Sequence, residues 1–138
     1  MKAAAFLRTA LAALAATAAL PAAAQQVICR YTYGGESHDV VAAPLASPYA
    51  VPAIQVGSYF KFRVVFRKAP RDLASIRVYV YGDRDDDAVP LHEAVYAYPP
   101  AQPRDARFGF TGRHLVYEPV RDGELEYWCR MSAAKAMR

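Results

Sequence analysis

The chain is expected to be an all-β protein, a small antiparallel β-sandwich with its terminal strands joined by a disulfide. Three observations lead there. Short runs alternate aromatic or β-branched residues with polar ones, which is the period of a half-buried strand. Ten prolines interrupt the chain too often for long helices. The two cysteines, Cys29 and Cys129, stand near opposite ends of the body.

The first residues, "MKAAAFLRTALAALAATAALPAAAQQ", carry Lys2 and Arg8, then an Ala/Leu-rich core, then Pro21 and three alanines before Gln25. That order reads as a secretory signal peptide over residues 1–24, cleaved after Ala24. The apolar stretch from Ala10 to Leu20 is shorter than the roughly 20 residues a membrane-spanning helix needs. Gln26, Val27 and Ile28 before Cys29 do not form a lipoprotein signal. The expectation is a single periplasmic or secreted domain, residues 25–138, with no membrane span after cleavage.

The formal net charge of +4 includes Lys2 and Arg8, so removal of the leader leaves +2. A near-balanced chain with scattered basic residues gives no reason to expect a nucleic-acid partner. In an oxidising compartment two cysteines read as a disulfide. Closing a loop of that length constrains the unfolded chain by about 4–5 kcal/mol in the entropy model.

In chain order, "QVICRYTY" places Val27, Cys29, Tyr31 and Tyr33 on one side of a first strand, and the Gly34-Gly35 turn leads to a weaker strand, "SHDVVA". Pro44, Pro48 and Pro52 limit the next stretch to an extended connection or an edge strand. In "SYFKFRVVFRK", Phe60, Phe62, Val64 and Phe66 alternate with Lys61, Arg63, Val65 and Arg67. Pro70 and Asp72 turn the chain into "ASIRVYVYGD", where Ile76, Val78 and Val80 oppose Arg77, Tyr79 and Tyr81. "VPLHEAVYAYPP" sets Val95 and Ala97 opposite Tyr96 and Tyr98, and "PPAQPRDAR" is a loop by composition. A strand from His114 to Glu118 and a last one after the Asp122-Gly123 turn complete six or seven.

In the last strand, "RDGELEYWCR", Leu125, Tyr127 and Cys129 share one face and Trp128 takes the other. An Asp-Gly turn followed by a Tyr two residues before a Cys resembles the tyrosine corner of immunoglobulin-like sandwiches. The resemblance implies an immunoglobulin-like layering, with the Tyr packed inward and its hydroxyl bonded back to the corner backbone. With Cys129 turned inward, Trp128 points out, toward an outward aromatic set of Tyr79, Tyr81, Tyr96 and Tyr98. Such a composition suits a protein interface. The alternative is that "PPAQPRDAR" folds over these rings.

Candidate chemistry is sparse. Ser37, His38 and Asp39 spell a catalytic triad in adjacent positions, but neighbours on an extended chain face opposite ways. Asp83, Asp85 and Asp87 reproduce the opening ligands of a calcium loop, yet Ala88 and Ala94 stand where that loop needs Gly and Glu. Of His38, His92 and His114, neighbouring strands could bring two together as copper or zinc ligands.

The expected function is therefore an exported, non-enzymatic protein-binding or accessory module without a resident cofactor. Its partner would be another exported or envelope protein. The alternative is a periplasmic metal-binding protein for copper, zinc or calcium, using Asp83, Asp85, Asp87, His92 and His114.

Overall fold

Alternation of apolar and polar residues sets the strands of two packed sheets. The computed structural model describes residues 25–132, so the leader expected over residues 1–24 lies outside the described residues. The strands are β1 (Val27–Tyr33), β2 (Glu36–Ala42), β3 (Ile54–Val56), β4 (Phe60–Arg67), β5 (Ser75–Asp83), β6 (Ala88–Ala97), β7 (His114–Glu118) and β8 (Gly123–Met131). Sheet A runs β2-β1-β8-β7 and sheet B runs β3-β4-β5-β6, with antiparallel pairing throughout the two ladders. This is the expected small antiparallel β-sandwich. The strand beyond the expected six or seven is β3, three residues long, in the proline-crossed connection. Among the described residues no helix is long and apolar enough to cross a membrane.

The inward faces follow the alternation. Phe60, Phe62 and Phe66 of β4 and Ile76, Val78 and Val80 of β5 are fully buried against Val27, Leu125 and Tyr127 of sheet A. Burying a side chain of this size contributes about 1.5–3 kcal/mol relative to leaving it in water. Cys29 and Cys129 are directly opposite each other in the β1–β8 register and form the disulfide, which spans a sequence separation of 100. The bond therefore joins neighbouring strands of one sheet, whereas the immunoglobulin cystine bridges two sheets.

One irregularity re-aims part of sheet B. Val80 of β5 pairs with His92, but Tyr81 pairs with Pro90, so Leu91 is the extra residue of a β-bulge. The bulge shifts the phase of β6. His92 and Tyr96 lie opposite the buried Val80 and Ile76, and Glu93 and Val95 lie opposite the outward Tyr79 and Arg77.

The segment after β6 is held against β8. The Phe110 N–H donates to the Cys129 carbonyl at 3.0 Å, and the Cys129 N–H donates to the Thr111 hydroxyl at 2.8 Å. Gly109 has φ 60, and a Cβ there would sit 1.9 Å from the Cys129 carbonyl oxygen. Only glycine fits that approach.

Because the disulfide closes most of the described chain, its removal should be costly. Replacing Cys29 and Cys129 together with Ala is expected to lose about 3–5 kcal/mol and lower the melting temperature by roughly 10–25 °C. A thermal melt followed by circular dichroism measures this, with thiol titration of the native parent expected to find no free cysteine.

Candidate functional site

Trp128 lies on the outer face of sheet A, because its neighbours Tyr127 and Cys129 are both buried. It is directly opposite Arg30, whose guanidinium carbon is 5.9 Å from the indole centroid. Arg30 is held by Asp39 across the β1–β2 pair, through Nε to Oδ1 at 2.8 Å and Nη2 to Oδ2 at 3.2 Å. Phe108, from the loop after β6, meets the indole edge-on at a centroid distance of 6.2 Å. The loop thus covers one side of Trp128 and leaves the ring half-buried. The same outer face carries Val41 on β2 and Leu115 and Tyr117 on β7, each more than half exposed.

The other tyrosines expected beside Trp128 are elsewhere. Tyr79 and Tyr81 stack on each other on the outer face of sheet B, the opposite side of the sandwich, with Arg63 over Tyr79. Tyr96 and Tyr98 point inward, where Tyr96 packs edge-on against Phe110 and Tyr98 lies 4.9 Å from Phe66. The single aromatic face drawn from the sequence is therefore corrected: its members belong to two outer faces and the interior. The bulge in β6 is the reason for the inward pair.

The interior tyrosines build a second constellation, between β6 and β7. Tyr127 is fully buried, and its hydroxyl lies 2.6 Å from His92 Nε2. Its hydroxyl crosses to sheet B, in place of the bond to the corner backbone that the tyrosine-corner resemblance implies. His114 stacks on the Tyr127 ring at 5.0 Å, and the two imidazole centroids are 5.3 Å apart. His114 Nε2 is 3.0 Å from the Thr111 carbonyl oxygen, which can only accept, so that nitrogen carries the proton. The Tyr96 hydroxyl, 3.1 Å from the same nitrogen, shares the N–H. Burial pushes the Tyr127 hydroxyl far up and Tyr96 up as well, so both stay protonated. Burial first, then the charge of His114, holds His92 below its ordinary pKa.

The acidic hairpin between β5 and β6 does not gather its carboxylates. Asp83 accepts from Gln55 Nε2 at 2.7 Å and faces Lys61 at 3.7 Å. Asp85 meets Arg121 at 3.2 Å, and Asp87 accepts from the Ala88 N–H. Asp83, Asp85 and Asp87, calcium ligands under the alternative reading, are engaged one by one by different partners. Among the described residues no three His, Cys, Asp or Glu side chains converge as a metal-binding set. His38 is on β2, opposite Tyr31, apart from the other two histidines.

Nearby lies Glu118, a buried carboxylate that alternation alone would have shown pointing inward. Arg84 Nη2 is 2.9 Å from it and the Arg121 N–H donates at 3.0 Å. The Arg84 guanidinium, foremost, holds the Glu118 carboxyl below the usual carboxylate range. Arg30, Leu115 and Tyr117 were also missed as members of the Trp128 face. The alternation in "HLVYE" marks Leu115 and Tyr117 as sharing a face, but not which sheet they join.

A histidine whose folded pKa is lowered binds protons more weakly in the fold than in the unfolded chain. Its stabilising contribution is full above pH 6.5 and declines as the pH falls below that value. The melting temperature of the parent is expected to drop between pH 7 and 5, and His92→Gln should flatten that slope. Glu118 works in the other range: its lowered pKa gives stability above about pH 4.5 that is lost on further acidification. Glu118→Gln should lower the melt at neutral pH and weaken the dependence below that point. Compared with known proteins, the chain matches no family model, no curated protein and no solved structure.

Proposed function

We propose that the chain is an exported, non-enzymatic protein-binding module whose contact surface is the outer face of sheet A around Trp128. The observation that carries this is the set of three large apolar side chains, Val41, Leu115 and Tyr117, left more than half exposed on the face that presents Trp128. Val41 stands on the β2 edge and Leu115 and Tyr117 on the β7 edge, with Trp128 on a strand between them, and exposed large apolar side chains on one face suit an interaction surface. Trp, Tyr and Arg are the residues that dominate binding energy when such a surface is covered. Arg30 is already fixed by Asp39, so little side-chain entropy is lost when the face is covered. The disulfide suits an oxidising compartment, and the partner is accordingly another exported or envelope protein.

Trp128→Ala tests the reading. Recovery of the partner from an envelope extract on immobilised protein should fall by roughly thirtyfold or more, the scale of a hot-spot truncation. Its melting curve, recorded alongside, should remain cooperative. Full recovery by a folded Trp128→Ala protein would remove the basis of the proposal.

The approach of His92 and His114 favours a second reading, copper or zinc handling at the β6–β7 edge. It is the weaker one, because each histidine already commits its Nε2 to a hydrogen bond. Native mass spectrometry of protein purified without chelator should show a metal increment that the His92→Ala, His114→Ala double variant loses. An equal increment in that variant would reject the pair.

A further inference from the structure

The outer face of sheet B, away from Trp128, contains a recess of about 360 Å³ that neither reading uses. Its floor is Val65, which is 4% exposed although it points away from the core. Leu73 and Tyr79 form apolar walls, and three arginines, Arg63, Arg67 and Arg77, converge on it.

The arginines are not equivalent. Arg63 is anchored: its Nε donates to the Val51 carbonyl at 2.9 Å, its Nη2 donates to the Pro48 carbonyl, and its guanidinium stacks over Tyr79. It fixes the rim by pinning the 3-10 turn Pro48–Ala50 across the sheet. Arg77 faces Glu93 at 3.5 Å, with both side chains about half exposed, a surface pair that a ligand can displace. Arg67 has no carboxylate partner among the described residues, and its Nε is buried without a hydrogen-bond acceptor. The other buried nitrogen of this kind, Arg84 Nε, belongs to a guanidinium already bound to Glu118. With Nε enclosed, the donors Arg67 offers an incoming acceptor are its accessible Nη1 and Nη2, which have no hydrogen-bond partner among the described residues, on a residue that lines the recess.

We propose that this recess binds a carboxylate carried on an apolar group, with Arg67 as the principal contact and Val65, Leu73 and Tyr79 receiving the apolar part. The chemistry follows from the donors. A guanidinium presents a planar fork that a carboxylate matches with two parallel hydrogen bonds, at roughly twice the strength of neutral pairs. The apolar floor distinguishes such an acid from a bare inorganic anion, and the recess is of the size that takes a small ligand. Two sources share this chemistry, a free organic acid and the carboxyl terminus of a peptide with an apolar last residue.

The test uses the intact disulfide-bonded protein labelled with 15N. The Arg67 Nε–Hε resonance, assigned by its loss in Arg67→Lys, is followed while benzoate or the tripeptide acid N-acetyl-Ala-Ala-Phe is added. A saturable shift with benzoate assigns the site to free acids, and a shift with the tripeptide alone assigns it to chain termini. Both uphold the carboxylate site. Benzamide, the tripeptide amide and sodium chloride at matched ionic strength should leave the resonance in place. No shift with either acid, or an equal shift with the amides or salt, overturns the proposal. By calorimetry Arg67→Lys should bind the active acid roughly tenfold more weakly, because it keeps the charge and loses the fork. Equal affinity would overturn the assignment to Arg67.

Discussion

Burial of the Tyr127 ring, with a hydroxyl that must find its partner inside the protein, organises the middle of the molecule. The ring lies against Phe62 of the opposite sheet and under His114 of the neighbouring strand. Its hydroxyl reaches His92 on β6, an edge strand of sheet B. A buried tyrosine hydroxyl without a partner would be strongly unfavourable, so the position of β6 relative to β8 is fixed by a polar contact as well as by packing. The bulge opposite Val80 and Tyr81 is what allows it, since without the extra residue His92 would face solvent. Fold, register and the neutral state of His92 are in this sense one constraint.

The parts of the structure that were legible in the sequence are those set by local alternation. β4 and β5 display their core residues in an unbroken period of two, and Cys29 and Cys129 could pair only with each other. Tyr127 and Trp128 are likewise on opposite faces because they are neighbours on a strand. The failures have one physical origin. Alternation says which residues share a face but not which sheet a strand joins, and a single bulge reverses the phase downstream. Alternation alone therefore places Tyr96 and Tyr98 outward, and it groups Trp128 with Tyr79 and Tyr81 although different sheets carry them. The meeting of His92 with His114 depends on two strands from different sheets and has no local signal.

Charge is sorted by position. At the end of the sandwich that holds the β5–β6 and β7–β8 turns, three acidic groups each have a basic or amide donor nearby: Glu118 has Arg84, Asp85 has Arg121, Asp83 has Gln55 and Lys61. Arg121 also donates to the Ser58 carbonyl and lies over Tyr59, so it ties three turns together. The chain's own donors engage these carboxylates one by one, so the acidic run acts as the mortar of a turn cluster. The outer face of sheet B is the reverse case, with more guanidinium than carboxylate on β4 and β5.

The pairing of β1 with β8 also dictates an order of events. A chain made from its N-terminus presents Cys29 a full 100 residues before Cys129 exists to meet it. Until then sheet A is reduced to the β1–β2 hairpin, and a lone hairpin is marginal in water. Sheet B, a meander of consecutive strands, can assemble first from contacts close in sequence, whereas β1 must wait for the most distant contact in the molecule. During that interval Cys29 is an unpaired thiol on an unprotected strand, open to mixed disulfides and to pairing with a second nascent chain. The last strand to be made is thus the one that ends the molecule's period of vulnerability.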